Sequence, residues 1–156
     1  MLILSIETSC DETAVALVKF RRNGKIKEIL ANLVASQVKL HAPFGGVVPH
    51  LAARAHRENL PLLLRQARVN KFWKSIDAIA VTNGPGLSPC LWHGVNTARN
   101  LAKAHQKKLI AVNHLAGHIY SNWPFKFPAL TLIVSGGHTE LILVKGYGAY
   151  TLLGEP

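Results

Sequence analysis

The chain is short of cysteine, of acidic residues and of long apolar runs, and each shortage excludes a class of protein. Only Cys10 and Cys90 are present, and no CxxC pair exists, which argues against a disulfide framework or a zinc ribbon. No stretch approaches the length of a membrane span, and none reads as a basic amphipathic stripe. The opening apolar run, Met1 to Ile6, lacks a basic leader and a small-residue cleavage site and is too short for a signal peptide. The expectation is a protein of the reducing cytoplasm with no membrane partner. Charged residues make up only 17% of the chain beside 49% hydrophobic ones, far from the composition of a disordered segment.

The scarcity of acids is the sharper asymmetry. Eight Asp plus Glu stand against 18 Lys plus Arg, a formal net charge of +10 over 156 residues. The basic residues are dispersed: Arg21, Arg22, Lys25 and Lys27; then Arg54, Arg57, Arg65, Arg68, Lys71 and Lys74; then Arg99, Lys103, Lys107 and Lys108. Such a field draws in a polyanion, and RNA fits it better than a membrane surface. The plainer reading is solvated surface. The length suits one domain or two small ones with a real core.

Leu2 to Ile6 reads as a buried strand, Glu7 to Glu12 as a polar turn, and Thr13 to Phe20 as a second strand. Arg21 to Lys25 carries the Asn-Gly hairpin signal and leads into a third strand, Ile26 to Ala35. Ala42 to Gly46 reads as a loop. Pro49 opens a helix that runs to Val69 with an expected kink at Pro61. Ile76 to Thr82 is a further strand, and Asn83 to Gly86 breaks the chain. Ser88 is the expected N-cap of a helix with Pro89 at its first position, ending near His105. Leu109 to Val112 is a strand and His114 to Tyr120 a short helix. Leu130 to Val134 and Glu140 to Val144 are strands, and Tyr147 to Leu153 begins another. Three antiparallel strands followed by helix–strand–helix–strand give an α/β mixed sheet covered by helices. The strand–turn–strand around Ser135 to Thr139 repeats the pattern of Leu2 to Phe20, as if a second copy of the unit were starting.

Four features carry chemistry. His114 and His118 lie one helical turn apart on one face, close enough to share an ion such as zinc or iron(II). Eight histidines give about 0.4 such pairs by chance, so two histidines merely lining a helix is the competing reading. Two ligands do not complete a site, and Leu115 stands where a metalloprotease helix needs glutamate. Ser135-Gly136-Gly137-His138-Thr139 is a glycine turn whose backbone can close on an anion, with hydroxyls from Ser135 or Thr139; a bare hairpin turn explains the glycines equally well. Glu7, Thr8, Ser9, Asp11 and Glu12 sit at the end of the first strand, a usual place for a ligand crevice, where paired acids can manage a proton or hold a cation. Gly94, Ala98 and Ala102 form a small-residue helix face that another helix can approach closely, within the domain or from a partner subunit.

Together, the segments ILSIETSCDETAVALV, SQVKLHAPFGGVVPHLAARAH, VTNGPGL, VNHLAGHIY, LIVSGGHTEL and LLGE resemble, in order and over nearly the whole chain, the tRNA adenosine threonylcarbamoyltransferases of the TsaD type. The resemblance implies an actin/Hsp70/sugar-kinase-like (ribonuclease H-like) fold of two related domains around a cleft. Residues 1–122 would form the first, actin-like ATPase-type domain and residues 123–156 the incomplete start of the second. It implies transfer of a threonylcarbamoyl group from threonylcarbamoyl-AMP to the adenosine beside the anticodon of tRNAs reading codons that start with A. By match, His114 and His118 would hold one divalent metal ion, iron(II) before zinc, with the third ligand outside this chain. Ser135, Gly136, Gly137, His138 and Thr139 would meet the adenylate, and Asp11 and Glu12 would line the catalytic cleft. Implied partners are tRNA, a TsaB-like paralogue and a TsaE-like ATPase.

The chain also departs from the family pattern. It covers about the first half of the family's length, ending at Gly154-Glu155-Pro156 where members continue into an acidic segment. His50 replaces a usual glutamate, and Ser88-Pro89-Cys90 and Trp92-His93 replace small or aliphatic residues in a region that members use for partner contacts. Three accounts of the length stand: an incomplete stretch of a normal enzyme, one half of a split enzyme whose C-terminal half is a separate chain, or a truncated non-catalytic partner or scaffold subunit of the same complex. Little or no transferase activity is expected of the chain alone.

Overall fold

A computed structural model describes residues 1–122, 124–135 and 139–155. Its strands and helices fall into two units, Met1–Asn113 and His114–Pro156. This division puts the histidine helix with the second unit, nine residues ahead of the expected break after residue 122.

In the first unit, β1 (Leu2–Glu7), β2 (Glu12–Phe20) and β3 (Ile26–Ser36) form an antiparallel meander, as the alternation predicts. A short helix, α1 (Val38–His41), and a 3-10 turn at Ala42–Phe44, within the expected loop of Ala42 to Gly46, precede α2 (Pro49–Gln66). Helix α2 continues through Pro61. β4 (Ala78–Gly84) starts and ends two residues later than expected, then come α3 (Ser88–His105) and β5 (Lys108–Asn113). The N-cap of α3 is Leu87, not Ser88, and no side-chain hydrogen bond caps it; Ser88 and Pro89 lie inside the first turn. The sheet order is β3-β2-β1-β4-β5, with β4 parallel to both β1 and β5.

Leu2, Leu4 and Ile6 of β1 and Val15 and Leu17 of β2 point to one face, where Leu60 and Leu63 of α2 and Ala98 and Ala102 of α3 cover them. Complete burial of each leucine contributes about 1.5–3 kcal/mol, so this face fixes the registers. Gly94, Ala98 and Ala102 are all buried within this unit, which resolves the small-residue face as intramolecular packing. One register bears on function. Pairing of Ile6 with both Val15 and Val81 brings the polar turn after β1 beside the end of β4 and the start of α3.

In the second unit, α4 (His114–Ser121) is followed by an antiparallel sheet of β6 (Ala129–Val134), β7 (Thr139–Gly146) and β8 (Ala149–Gly154). Ile119 of α4 packs with Ile133, Ile142 and Val144. The alternate positions of β6, Leu130, Leu132 and Val134, remain exposed.

Candidate functional site

The acidic turn is held on every side. Thr8 and Ser9 are buried, and the Glu7 carboxylate accepts hydrogen bonds from the Ser9 N–H and the Thr82 hydroxyl. Three consecutive backbone carbonyls are each taken by a different element. Ser9 O accepts from the Leu87 N–H at 2.8 Å, Cys10 O from His56 Nε2 at 2.9 Å, and Asp11 O from the Gln37 N–H at 2.9 Å. A Cβ on Gly86 would sit 2.6 Å from Ser9 O, so only glycine lets the β4–α3 connection come this close. The Thr8 hydroxyl donates to Cys90 O at 2.9 Å and accepts from the Gly94 N–H at 3.1 Å. It thus spans two groups four residues apart that a regular helix joins directly.

His56 is the fastening that sequence reasoning missed. A carbonyl can only accept, so the Nε2 facing Cys10 carries the proton, and Nδ1 accepts from Thr13 Oγ1 at 2.8 Å and from Gln37 Nε2 at 3.4 Å. The ring is fully buried, and desolvation holds its pKa below the usual histidine value. The signal was in the spacing. Position 56 falls on the face of Ala52, Leu60 and Leu63, where a lone histidine calls for a built polar nest.

On this fixed backbone Asp11 is half-buried and Glu12 exposed. Burial, then the Asp11 charge, raises the pKa of the Glu12 carboxyl, whose Oε1 accepts a bond from the Ser36 hydroxyl at 3.4 Å. A carboxyl whose pKa is raised in this way is suited to hold and pass on a proton. The two thiols nearby are inert: burial, then the Asp11 charge, pushes Cys10 and Cys90 each up to about 11.

The second unit carries the remaining candidates. β5 ends at Asn113 and α4 starts at His114, so the histidine pair begins its helix with no linker. His114 Nε2 and His118 Nε2 lie 3.0 Å apart, with ring centroids 4.4 Å apart and planes at 79°. That separation is a hydrogen bond between the two rings, and it holds both nitrogens on one side of the helix, where one ion could reach both. Imidazole nitrogens are donors that divalent transition metals accept. Among the described residues, no group of three or more His, Cys, Asp or Glu could hold a metal ion. Ser135 follows β6 and Thr139 opens β7, so the glycine turn joins two paired strands; Gly136, Gly137 and His138 lie outside the described residues.

The departures from the family pattern also have a place. His50, Pro89 and His93 line one groove between the N-terminal turns of α2 and α3.

The family model for TsaD, tRNA N6-adenosine threonylcarbamoyltransferase, matches residues 28–156. The protein of that name from Anoxybacillus flavithermus is 52% identical over 160 residues, covering 99% of this chain and 46% of the relative. That from Bacillus thuringiensis (strain Al Hakam) is 53% identical over 159 residues, covering 99% and 45%. The chain therefore spans about half the length of the curated relatives it matches. Among solved structures, YeaZ from Pseudomonas aeruginosa superposes with a TM-score of 0.59 at 20% identity, over 99% of this chain and 67% of that one. The Aquifex aeolicus PPX-GPPA enzyme gives 0.51 at 13%, over 99% and 50%. These likenesses establish the fold as the expected actin/Hsp70-like, ribonuclease H-like α/β class.

Proposed function

Because the chain belongs to the tRNA N6-adenosine threonylcarbamoyltransferase family, we propose that it forms the N-terminal half of an enzyme that transfers a threonylcarbamoyl group from threonylcarbamoyl-AMP to the adenosine beside the anticodon of tRNA. The supporting observation is the histidine pair of α4, whose ring nitrogens lie 3.0 Å apart on one side of the helix, where one ion could reach both. His114 and His118 would hold a divalent metal, iron(II) before zinc, with a third ligand from outside this chain. When bound, it supplies Lewis-acid polarisation of the threonylcarbamoyl carbonyl.

The chain's own residues do the rest. The adenine amine attacks the carbonyl carbon, a C–N bond forms, and the bond to the AMP phosphate oxygen breaks, so AMP leaves. The amine proton goes to a carboxylate, and Asp11 takes that role, with Glu12 beside it resisting a second negative charge. The three hydrogen bonds that pin the Ser9, Cys10 and Asp11 carbonyls keep this carboxylate from drifting between turnovers. Ser135 and Thr139, with the intervening Gly136, Gly137 and His138, meet the adenylate. tRNA, a TsaB-like paralogue and a TsaE-like ATPase are the partners, and the cytoplasm is the compartment. No described helix is long and apolar enough to cross a membrane.

The test supplies the C-terminal half as a separate chain and follows threonylcarbamoyl transfer to tRNA together with metal content. The expected result is turnover and stoichiometric metal, both lost in His114→Ala, and turnover lost with metal retained in Asp11→Ala. Full transfer by Asp11→Ala would remove the proton-acceptor role. Absence of metal both with and without the C-terminal half would move the assignment to a non-catalytic partner subunit of the same complex.

A further inference from the structure

The connection between β3 and α2 is built inside out. Gln37 and His41 are buried, whereas Val38, Leu40 and Phe44 around them are exposed. Burial of apolar surface selects the opposite arrangement, so the two polar side chains are inside for another reason. A buried amide and a buried imidazole persist where each polar atom is answered, and here the answers form one chain. The Val48 N–H lies 3.3 Å from His41 Nδ1, and His41 Nε2 lies 3.1 Å from Gln37 Oε1. Gln37 Nε2 lies 3.4 Å from His56 Nδ1, and His56 Nε2 lies 2.9 Å from Cys10 O. Gln37 Nε2 also faces Ala52 O at 3.5 Å.

The two ends fix the sense of every link. A backbone N–H can only donate, so His41 Nδ1 accepts from Val48 and the ring proton sits on Nε2, which donates to Gln37 Oε1. That leaves Gln37 Nε2 as the donor to His56 Nδ1 and puts the His56 proton on Nε2. Cys10 O can only accept, and it demands the same tautomer from the other end. Neither ring can turn over, and the amide cannot flip, without breaking more than one link of a buried chain.

Gln37 is the hub. Its backbone N–H grips Asp11 O at 2.9 Å, and its side chain steadies the histidine that grips Cys10 O. His41 is what holds the Gln37 amide in its working orientation. Without that donor, Gln37 Oε1 is a buried acceptor left unanswered, and a flipped amide would face His56 Nδ1 acceptor to acceptor. We infer that His41 is a positioning residue for Asp11, acting through Gln37 and His56. Its hold on the turn stands on this geometry; its consequence for the reaction rests on the proton-acceptor reading of Asp11 given above.

Two polar substitutions separate the links. The Asn oxygen takes the place of Nδ1, so His41→Asn keeps an acceptor for Val48 and loses the donor to Gln37; the Gln nitrogen takes the place of Nε2, so His41→Gln keeps that donor. Imidazole 15N shifts of the 156-residue chain should show neutral Nε2–H forms for both His41 and His56, and an Nδ1–H form of either would overturn the chain of bonds. Amide exchange then follows the Gln37 N–H. The expected result is exchange about tenfold faster in His41→Asn, near the parent rate in His41→Gln, with the amides of β1 and β2 unchanged in both. With the C-terminal half supplied, kcat should fall several-fold in His41→Asn at unchanged KM for threonylcarbamoyl-AMP, and recover in His41→Gln. Should His41→Asn fail to fold by circular dichroism, Gln37→Met cuts the same link from its other side and takes its place. Equal behaviour of the Asn and Gln variants would overturn the action through Gln37, and faster Gln37 exchange with unchanged kcat would overturn the role in the reaction. No transfer by the parent halves is a failure of the transferase reading, and the exchange comparison still decides whether His41 holds the turn.

Discussion

Gly94→Ala tests the contact that joins α3 to the acidic turn. An added Cβ would lie 2.3 Å from Thr8 Oγ1 and 3.4 Å from the Thr8 Cβ and Cγ2. A carbon and an oxygen need about 1 Å more than that, by ordinary packing distances. Thr8 is fully buried at the end of β1, and its hydroxyl already bridges Cys90 O and the Gly94 N–H. It can yield only by rotating out of that bridge or by pushing α3 off the sheet. The first route costs about 1–3 kcal/mol for buried groups left unpaired. The second costs about 1–3 kcal/mol of overpacking. Against either stands the gain of about 1 kcal/mol from replacing glycine inside a helix. The net expectation is destabilisation of up to about 2 kcal/mol, the balance of those ranges.

Urea unfolding followed by circular dichroism measures this, with an unchanged m-value showing that only stability has moved. The second arm is a double-mutant cycle. Thr8→Ala removes the hydroxyl that the new methyl strikes, so Gly94→Ala should cost less in that background, with a coupling of at least about 1 kcal/mol. A coupling of zero would refute the close approach of α3 to Thr8.

Three further outcomes follow from the same structure. His56 is held neutral below its usual pKa, so below about pH 6.5 the unfolded chain takes up a proton that the folded one refuses, and stability falls with falling pH until the folded-state pKa is reached. Glu12, whose pKa is raised, works in the opposite sense, losing stability as pH rises through 4.5 and above; urea midpoints across this range in a Glu12→Gln background should therefore isolate the histidine slope, and a flat profile there would contradict the His56 assignment. Metal analysis of the chain without a C-terminal half should give substoichiometric iron or zinc that His114→Ala abolishes, since two nitrogens alone make an incomplete site; a full equivalent bound by the isolated chain would show that a third ligand is present within it. Cys10 and Cys90, both pushed up to about 11, should react with a thiol reagent at pH 8 many-fold more slowly than in urea, and rapid labelling of the native chain would contradict the burial of these thiols.

What the sequence announced and what it withheld divide along one physical line. Strands appeared where alternation was dictated by a single buried face, as in Leu2, Leu4 and Ile6, and α4 appeared because His114 and His118 mark one turn of it. Local rules failed where the structure answers to a distant residue. Ser88-Pro89 has the composition of a cap and first turn, yet Leu87 is the cap, because the Leu87 N–H is committed to Ser9 O and α3 must begin from that contact. Val38–His41 turned helical because His41 and Gln37 bury against each other, Nε2 to Oε1 at 3.1 Å, a contact that no propensity scale contains. The candidate site shows the same division. Asp11, Glu12, His114 and His118 stand out in the sequence as candidates by residue type and spacing. His56, Gln37 and Thr13 do not, because a histidine that serves by holding a carbonyl 46 residues away, and the two side chains that orient it, look locally like any other polar residues. The rigidity of the acidic turn is a property of the folded sheet: three of its carbonyls are each gripped by a different element, so loosening any one of His56, Gln37 or Leu87 should disturb Asp11 without touching it.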